Sequence, residues 1–111
     1  MFLSEKNALK KAVRKLKNIL GDNLVSIIAF GSRIRGDYNE ESDFDILIVV
    51  KRRTFDIIDM TNDVFGKVER ITGVPFSVVV KGENIFDKEK KYNTSFYRNI
   101  VREGIVLHGS S

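Results

Sequence analysis

The chain contains no cysteine and no tryptophan, one proline and one histidine. Without cysteine there is no disulfide, no thiolate metal centre and no cysteine nucleophile. The lone His108 excludes a multi-histidine zinc site within one chain. No apolar run approaches the roughly 18 residues that a transmembrane helix needs. The opening residues, MFLSEKNALKK, lack the order of positive charge then long apolar core that marks a signal peptide. No membrane association is expected, and a cytoplasmic location is the default. Internal repeats, low-complexity segments and Pro/Gly/Ser-rich linkers are also missing.

What remains is a globular composition, 42% hydrophobic and 31% charged over 111 residues. That length predicts one domain, residues 1–111, with room for a single core. The net charge of +4 favours anionic partners such as nucleotides or RNA, but only mildly. Lysine and glutamate are both abundant, so nucleic-acid binding does not follow from charge. The sequence does not fix the oligomeric state; a homo-oligomer is compatible with it.

Hydrophobic periodicity divides the chain into elements. Residues 4–20 carry apolar side chains at Ala8, Leu9, Ala12, Val13, Leu16, Ile19 and Leu20, the spacing of a helix with one buried stripe. Ser4 is placed to cap it and Gly21 to stop it. Its other face, with Lys6, Lys10, Lys11, Arg14, Lys15 and Lys17, reads as solvated. The runs LVSIIAF (24–30) and FDILIVV (44–50) predict buried strands that neighbour each other in one sheet. Thr54 then caps a helix to about residue 72, with Ile57, Ile58, Thr61, Val64, Phe65, Val68 and Ile71 inward; Gly73 and Pro75 end it. FSVVVK (76–81) is a third strand. A polar link with at most one helical turn follows, then a helix over 94–103 and a short strand at 105–107. The order predicts an α/β (α+β) fold, a small mixed sheet with helices mainly on one face and the other face partly open.

The most informative stretch is GSRIRGDYNEESDFDILIVV, residues 31–50. Asp43 and Asp45 are two residues apart at a strand start, so a period of 2 points them to one face. Paired carboxylates make an oxygen-rich site suited to a hard cation such as Mg²⁺. Gly31-Ser32, where a strand gives way to a turn, offers backbone N–H groups and a hydroxyl to an anion. A phosphate cradle beside a cation site is the equipment for phosphoryl or nucleotidyl transfer. The loop acids Asp37, Glu40 and Glu41 read as solvated.

The pattern G-S-x-x-R-G followed by S-D-x-D-I resembles the signature of nucleotidyltransferases of the DNA polymerase β superfamily. It is carried by Gly31, Ser32, Arg35, Gly36, Ser42, Asp43 and Asp45. The small size resembles the minimal nucleotidyltransferases, often antitoxin-like partners of HEPN-domain proteins. The resemblance implies a nucleotidyltransferase fold that binds a nucleoside triphosphate, with ATP the expected one, together with Mg²⁺ or Mn²⁺. It implies Asp43 and Asp45 as catalytic metal ligands, and Gly31 and Ser32 as the nucleotide's phosphate cradle. Arg35 pairs either with a phosphate or with an acid such as Asp37. The family usually adds a third carboxylate on the next strand, where this chain has Ser77. A hydroxyl is a poor Mg²⁺ ligand beside carboxylates and a poor general base. Neither Glu69, on the preceding helix, nor Asp87, ten residues further on, is an evident substitute. Two functions follow: transfer of a nucleoside monophosphate to a hydroxyl of a protein or other acceptor, or a catalytically weak subunit that neutralises a HEPN-type partner.

Overall fold

The computed structural model describes residues 3–31 and 43–109. Within them a four-stranded sheet is built from β1 (Leu24–Phe30), β2 (Phe44–Val50), β3 (Phe76–Gly82) and β4 (Ile105–His108), in the order β3-β2-β1-β4. β1 runs antiparallel to β2 and to β4, while β2 and β3 are parallel. The helices are α1 (Leu3–Leu20), α2 (Phe55–Thr72), α3 (Glu83–Lys91) and α4 (Ser95–Glu103). The parallel pair β2–β3 requires a crossover, and α2 supplies it. The mixed sheet and the α/β class are those expected from the sequence.

The two long helices cover one face. Leu9, Ala12, Leu16 and Leu20 of α1 join Val64, Phe65 and Val68 of α2 over the inward side chains of β1 and β2. Those strand side chains alternate as a pleat requires: Phe44, Ile46, Ile48 and Val50 meet this core, whereas Leu47 and Val49 turn to the other face. Thr54 caps α2, its hydroxyl accepting the Ile57 N–H at 3.2 Å. Gly73, at φ +74, closes the helix in the left-handed conformation. Thr61 is fully buried in α2, and its Oγ1 has no hydrogen-bond partner.

The second face is more covered than the sequence suggested. Phe86 of α3 and Ile100 of α4 pack on Ile28, Leu47 and Val49. α3 replaces the expected polar link. It escaped notice because Phe86 is its one buried side chain and its N-cap, Gly82, makes no side-chain bond, so it shows neither stripe nor cap. Three smaller expectations also change. Ser4 lies inside α1 rather than capping it. Ile19 and Ile71, placed in the buried stripes, are exposed in the last turns of α1 and α2. At helix ends the periodic face runs past the body it covers, so period alone overstates burial there.

Candidate active site

The site lies where β1 ends and where β2 and β3 begin. Two backbone-directed bonds fix this end of the sheet. The Phe44 N–H donates to the Pro75 carbonyl at 3.0 Å, joining the first residue of β2 to the entry of β3. The Phe76 N–H donates to Glu69 Oε1 at 3.0 Å. Glu69 therefore has a structural task, pinning the residue next to Ser77.

Register brings the chemistry together. Phe30 pairs with Asp45 across the antiparallel β1–β2 ladder, and Asp45 pairs with Ser77 across the parallel β2–β3 ladder. Paired residues share a face, so Phe30, Asp45 and Ser77 form one row on the face that carries α3 and α4. Ser77 is exposed and Asp45 is partly buried. Asp43 is exposed, one residue before β2 begins. This pairing makes Ser77 the cross-strand neighbour of Asp45.

Gly31 follows β1 and is buried, with φ at +92°. A Cβ built there would lie 2.1 Å from Asp45 Oδ2 and 3.0 Å from its Cγ. Glycine is thus required twice, by its backbone conformation and by the carboxylate pressed against it. Two residues that sequence reasoning linked only by motif, Gly31 and Asp45, are in contact across the ladder. The expectations for Ser32, Arg35, Gly36 and Ser42 lie outside the described residues.

Further along the row's face, aromatic packing supports the end of β1. The Phe30 and Phe96 rings meet edge to face at 5.8 Å. Lys81 Nζ sits 3.8 Å above the Phe96 ring and is paired with Glu89. This brace links α3, α4 and β3 to the residue before Gly31. Sequence reasoning missed it, although a phenylalanine at position 96 in the helix expected over 94–103 was a usable signal. Lys81 shares the Ser77 face of β3, but Glu89 already neutralises it, and its register partner is Val49 rather than Asp45.

The donor set can be tested against a divalent cation. Among the described residues no group of three or more His, Cys, Asp or Glu side chains converges. Two carboxylates with a hydroxyl alongside fit Mg²⁺ or Mn²⁺ only where nucleotide phosphates and water complete the shell, the usual way in which Mg²⁺ binds. No helix among the described residues is long and apolar enough to cross a membrane.

Known proteins share this architecture. The sequence profile of the nucleotidyltransferase domain matches residues 8–110. A Methanocaldococcus jannaschii protein named "Putative protein adenylyltransferase MJ0604" is 41% identical over 106 residues, spanning 96% of this chain and all of that one. A second, MJ1379 of the same organism and description, is 32% identical over 100 residues, spanning 88% of this chain and 92% of that one. Among solved structures, a toxin–antitoxin complex with AMP-PNP superposes with a TM-score of 0.58 at 20% identity, over 90% of this chain and 73% of that one. A spectinomycin adenyltransferase from Enterococcus faecialis superposes with a TM-score of 0.66 at 14% identity, over 96% of this chain and 56% of that one. Those two likenesses speak for the fold. The chain belongs to the nucleotidyltransferase domain family.

Proposed function

We propose that this chain is a divalent-metal-dependent transferase that moves AMP from ATP to a hydroxyl of a partner protein. The observation that carries the reading is the contact of the Asp45 carboxylate with the Gly31 backbone, with Asp43 immediately before the strand. It joins the two halves of the motif in one place. ATP as donor and protein as acceptor are supported by the description of the relative that is 41% identical.

In the reaction the acceptor oxygen attacks the α-phosphorus. A new P–O ester bond forms, the bond between the α-phosphorus and its bridging oxygen to the β-phosphorus breaks, and pyrophosphate leaves. The hydroxyl proton passes to a carboxylate of the pair or to water. Gly31 has no side chain, and the Asp45 carboxylate takes up that space beside the turn. Asp43 and Asp45 would hold Mg²⁺ or Mn²⁺, and a bound cation neutralises charge that builds on the phosphates. Ser32 would cradle a phosphate, and Arg35 would pair with one.

A second reading is favoured by one observation. Ser77 stands beside Asp45, where the family resemblance leads one to expect a carboxylate. A chain without that group suits a subunit that binds and neutralises a HEPN-type partner with little catalysis. That a chain from a complex of a HEPN toxin with its antitoxin shares the fold supports such a partner. Incubation with α-labelled ATP and Mg²⁺, with and without a HEPN-type protein encoded alongside, separates the readings. Label on a partner hydroxyl, lost in Asp45→Asn, supports transfer. Stable binding without label supports neutralisation by contact, and label unaffected by Asp45→Asn would overturn the site assignment.

A further inference from the structure

A groove of about 710 Å³ runs between α1 and β4, on the opposite side of β1 from Ser77. One wall is a basic row, Lys6, Lys10, Arg14 and Lys17, all exposed and spaced three or four residues apart along α1. Among the described residues no acid lines the groove, and none of the four has an acidic partner. The floor is apolar, formed by Leu9 and Val13 of α1. The other wall is the edge of the sheet itself, Ile105–Leu107.

That edge is unusual. β4 is the last strand of the sheet, and among the described residues no strand pairs with its outer side. Its sequence, Ile-Val-Leu-His, contains no lysine, acid or proline. Those are the residues that keep edge strands from recruiting another chain. Ile105 and Val106 are 45% and 42% exposed, so the edge presents apolar side chains as well as free backbone groups. Ile105 pairs with Ala29, two residues before Gly31, so one end of the groove opens at the catalytic end of the sheet.

We propose that this groove receives an acidic, extended segment of a partner protein, which adds as a strand to the free edge of β4 while its carboxylates meet the α1 row. Main-chain bonds to the edge would supply affinity, and alternate side chains would supply choice, as in strand addition generally. Charge selects this occupant. A second copy of the chain pairing edge to edge would bring its own basic row against this one, with repulsion in place of attraction. A nucleic acid would match the charge, but among the described residues the lining has no aromatic side chain on which a base could stack. The inference stands apart from the transferase reading, since it is measured without nucleotide.

The test uses four fluorescent probes with the full chain. They are a nine-residue peptide alternating Glu and Val, its Lys-and-Val counterpart, a Glu/Val peptide of equal charge broken by prolines, and a 12-nucleotide oligouridine. The unbroken acidic peptide is expected to bind, and more weakly as salt rises. The lysine and proline-broken peptides are expected to bind at least about tenfold more weakly, as is the acidic peptide to a Lys10→Glu, Arg14→Glu variant with an unchanged melting temperature. No binding of the acidic peptide overturns the proposal. Equal binding of the proline-broken peptide reduces the groove to a general charge patch and overturns strand addition. Tighter binding of the oligouridine assigns the groove to nucleic acid. Concentration-dependent dimerisation that the acidic peptide abolishes assigns the edge to a second copy.

Discussion

Replacing Gly31 with alanine tests the contact on which the site depends. Two costs are expected. A φ of +92° suits glycine, and an L residue held there pays about 1–3 kcal/mol of backbone strain. The new Cβ would also fall 2.1 Å from Asp45 Oδ2, too close for any heavy-atom pair, so the carboxylate must rotate away. An off-rotamer side chain costs about 0.5–1.5 kcal/mol. Together the loss is about 1.5–4.5 kcal/mol. For 111 residues the unfolding entropy is about 0.23 kcal/mol/K, from about 2.1 cal/mol/K per residue, so the melting temperature should fall by about 6–19 °C.

The two costs separate in a double-mutant cycle. In an Asp45→Ala background no carboxylate meets the added methyl group, and only the backbone cost remains. Scanning calorimetry on the four proteins should show a coupling of about 0.5–1.5 kcal/mol, with Gly31→Ala less harmful when Asp45 is already alanine. Mg²⁺-dependent ATP binding should be lost in Gly31→Ala alone, because the rotated carboxylate is displaced from its place against the residue 31 backbone, where the cation would meet it. Equal destabilisation in both backgrounds would refute the contact. Unaltered ATP binding in a folded Gly31→Ala protein would refute its part in the site.

Three further outcomes are expected. Ser77→Asp puts a third carboxylate beside Asp45. It should destabilise the metal-free protein by about 0.5–1 kcal/mol and raise both Mg²⁺ affinity and AMP transfer; a variant insensitive to Mg²⁺ in melting and activity would show that the position does not serve the cation. The pair Asp43→Asn and Asp45→Asn should remove Mg²⁺-dependent ATP binding measured by calorimetry, and wild-type affinity in that variant would dismiss the carboxylates as ligands. Thr61→Val replaces a buried hydroxyl that has no hydrogen-bond partner with an isosteric methyl. It should stabilise the protein by about 1 kcal/mol, near 4 °C in melting temperature, and a lower melting temperature would mean that the hydroxyl is bonded after all.

Where the sequence was legible, physical signals agreed. β1 and β2 were bounded to the residue because β-branched runs end at Asp22-Asn23, at Gly31 and at Lys51. α2 announced itself with a Thr54 cap, a buried stripe and a Gly73 stop, all three present in the structure. α3 was illegible because a helix held by one buried phenylalanine has no period to read. The position of β4 beside β1 was also hidden, since a four-residue strand carries no information about its neighbour. For the site, residue types were readable and contacts were not. Asp43 and Asp45 stood out by spacing, but the approach of Asp45 to Gly31 depends on a ladder that pairs Asp45 with Phe30, 15 positions earlier.

Register carries the remaining argument about mechanism. On sequence alone Ser77 is an ordinary serine near a strand start, 32 residues after Asp45. The parallel ladder makes the two immediate neighbours, and adjacent strands lie only about 4.8 Å apart. A carboxylate at either position would therefore feel the other strongly unless a cation lay between them. Serine removes that repulsion and leaves a site that can stand without metal, with Asp45 resting on Gly31. Such a site would bind a cation mainly as the companion of a nucleotide, because the phosphates would have to supply the oxygens that a third carboxylate would have given. Metal affinity should then be strongly coupled to ATP, and by linkage ATP affinity should rise with Mg²⁺ by the same factor.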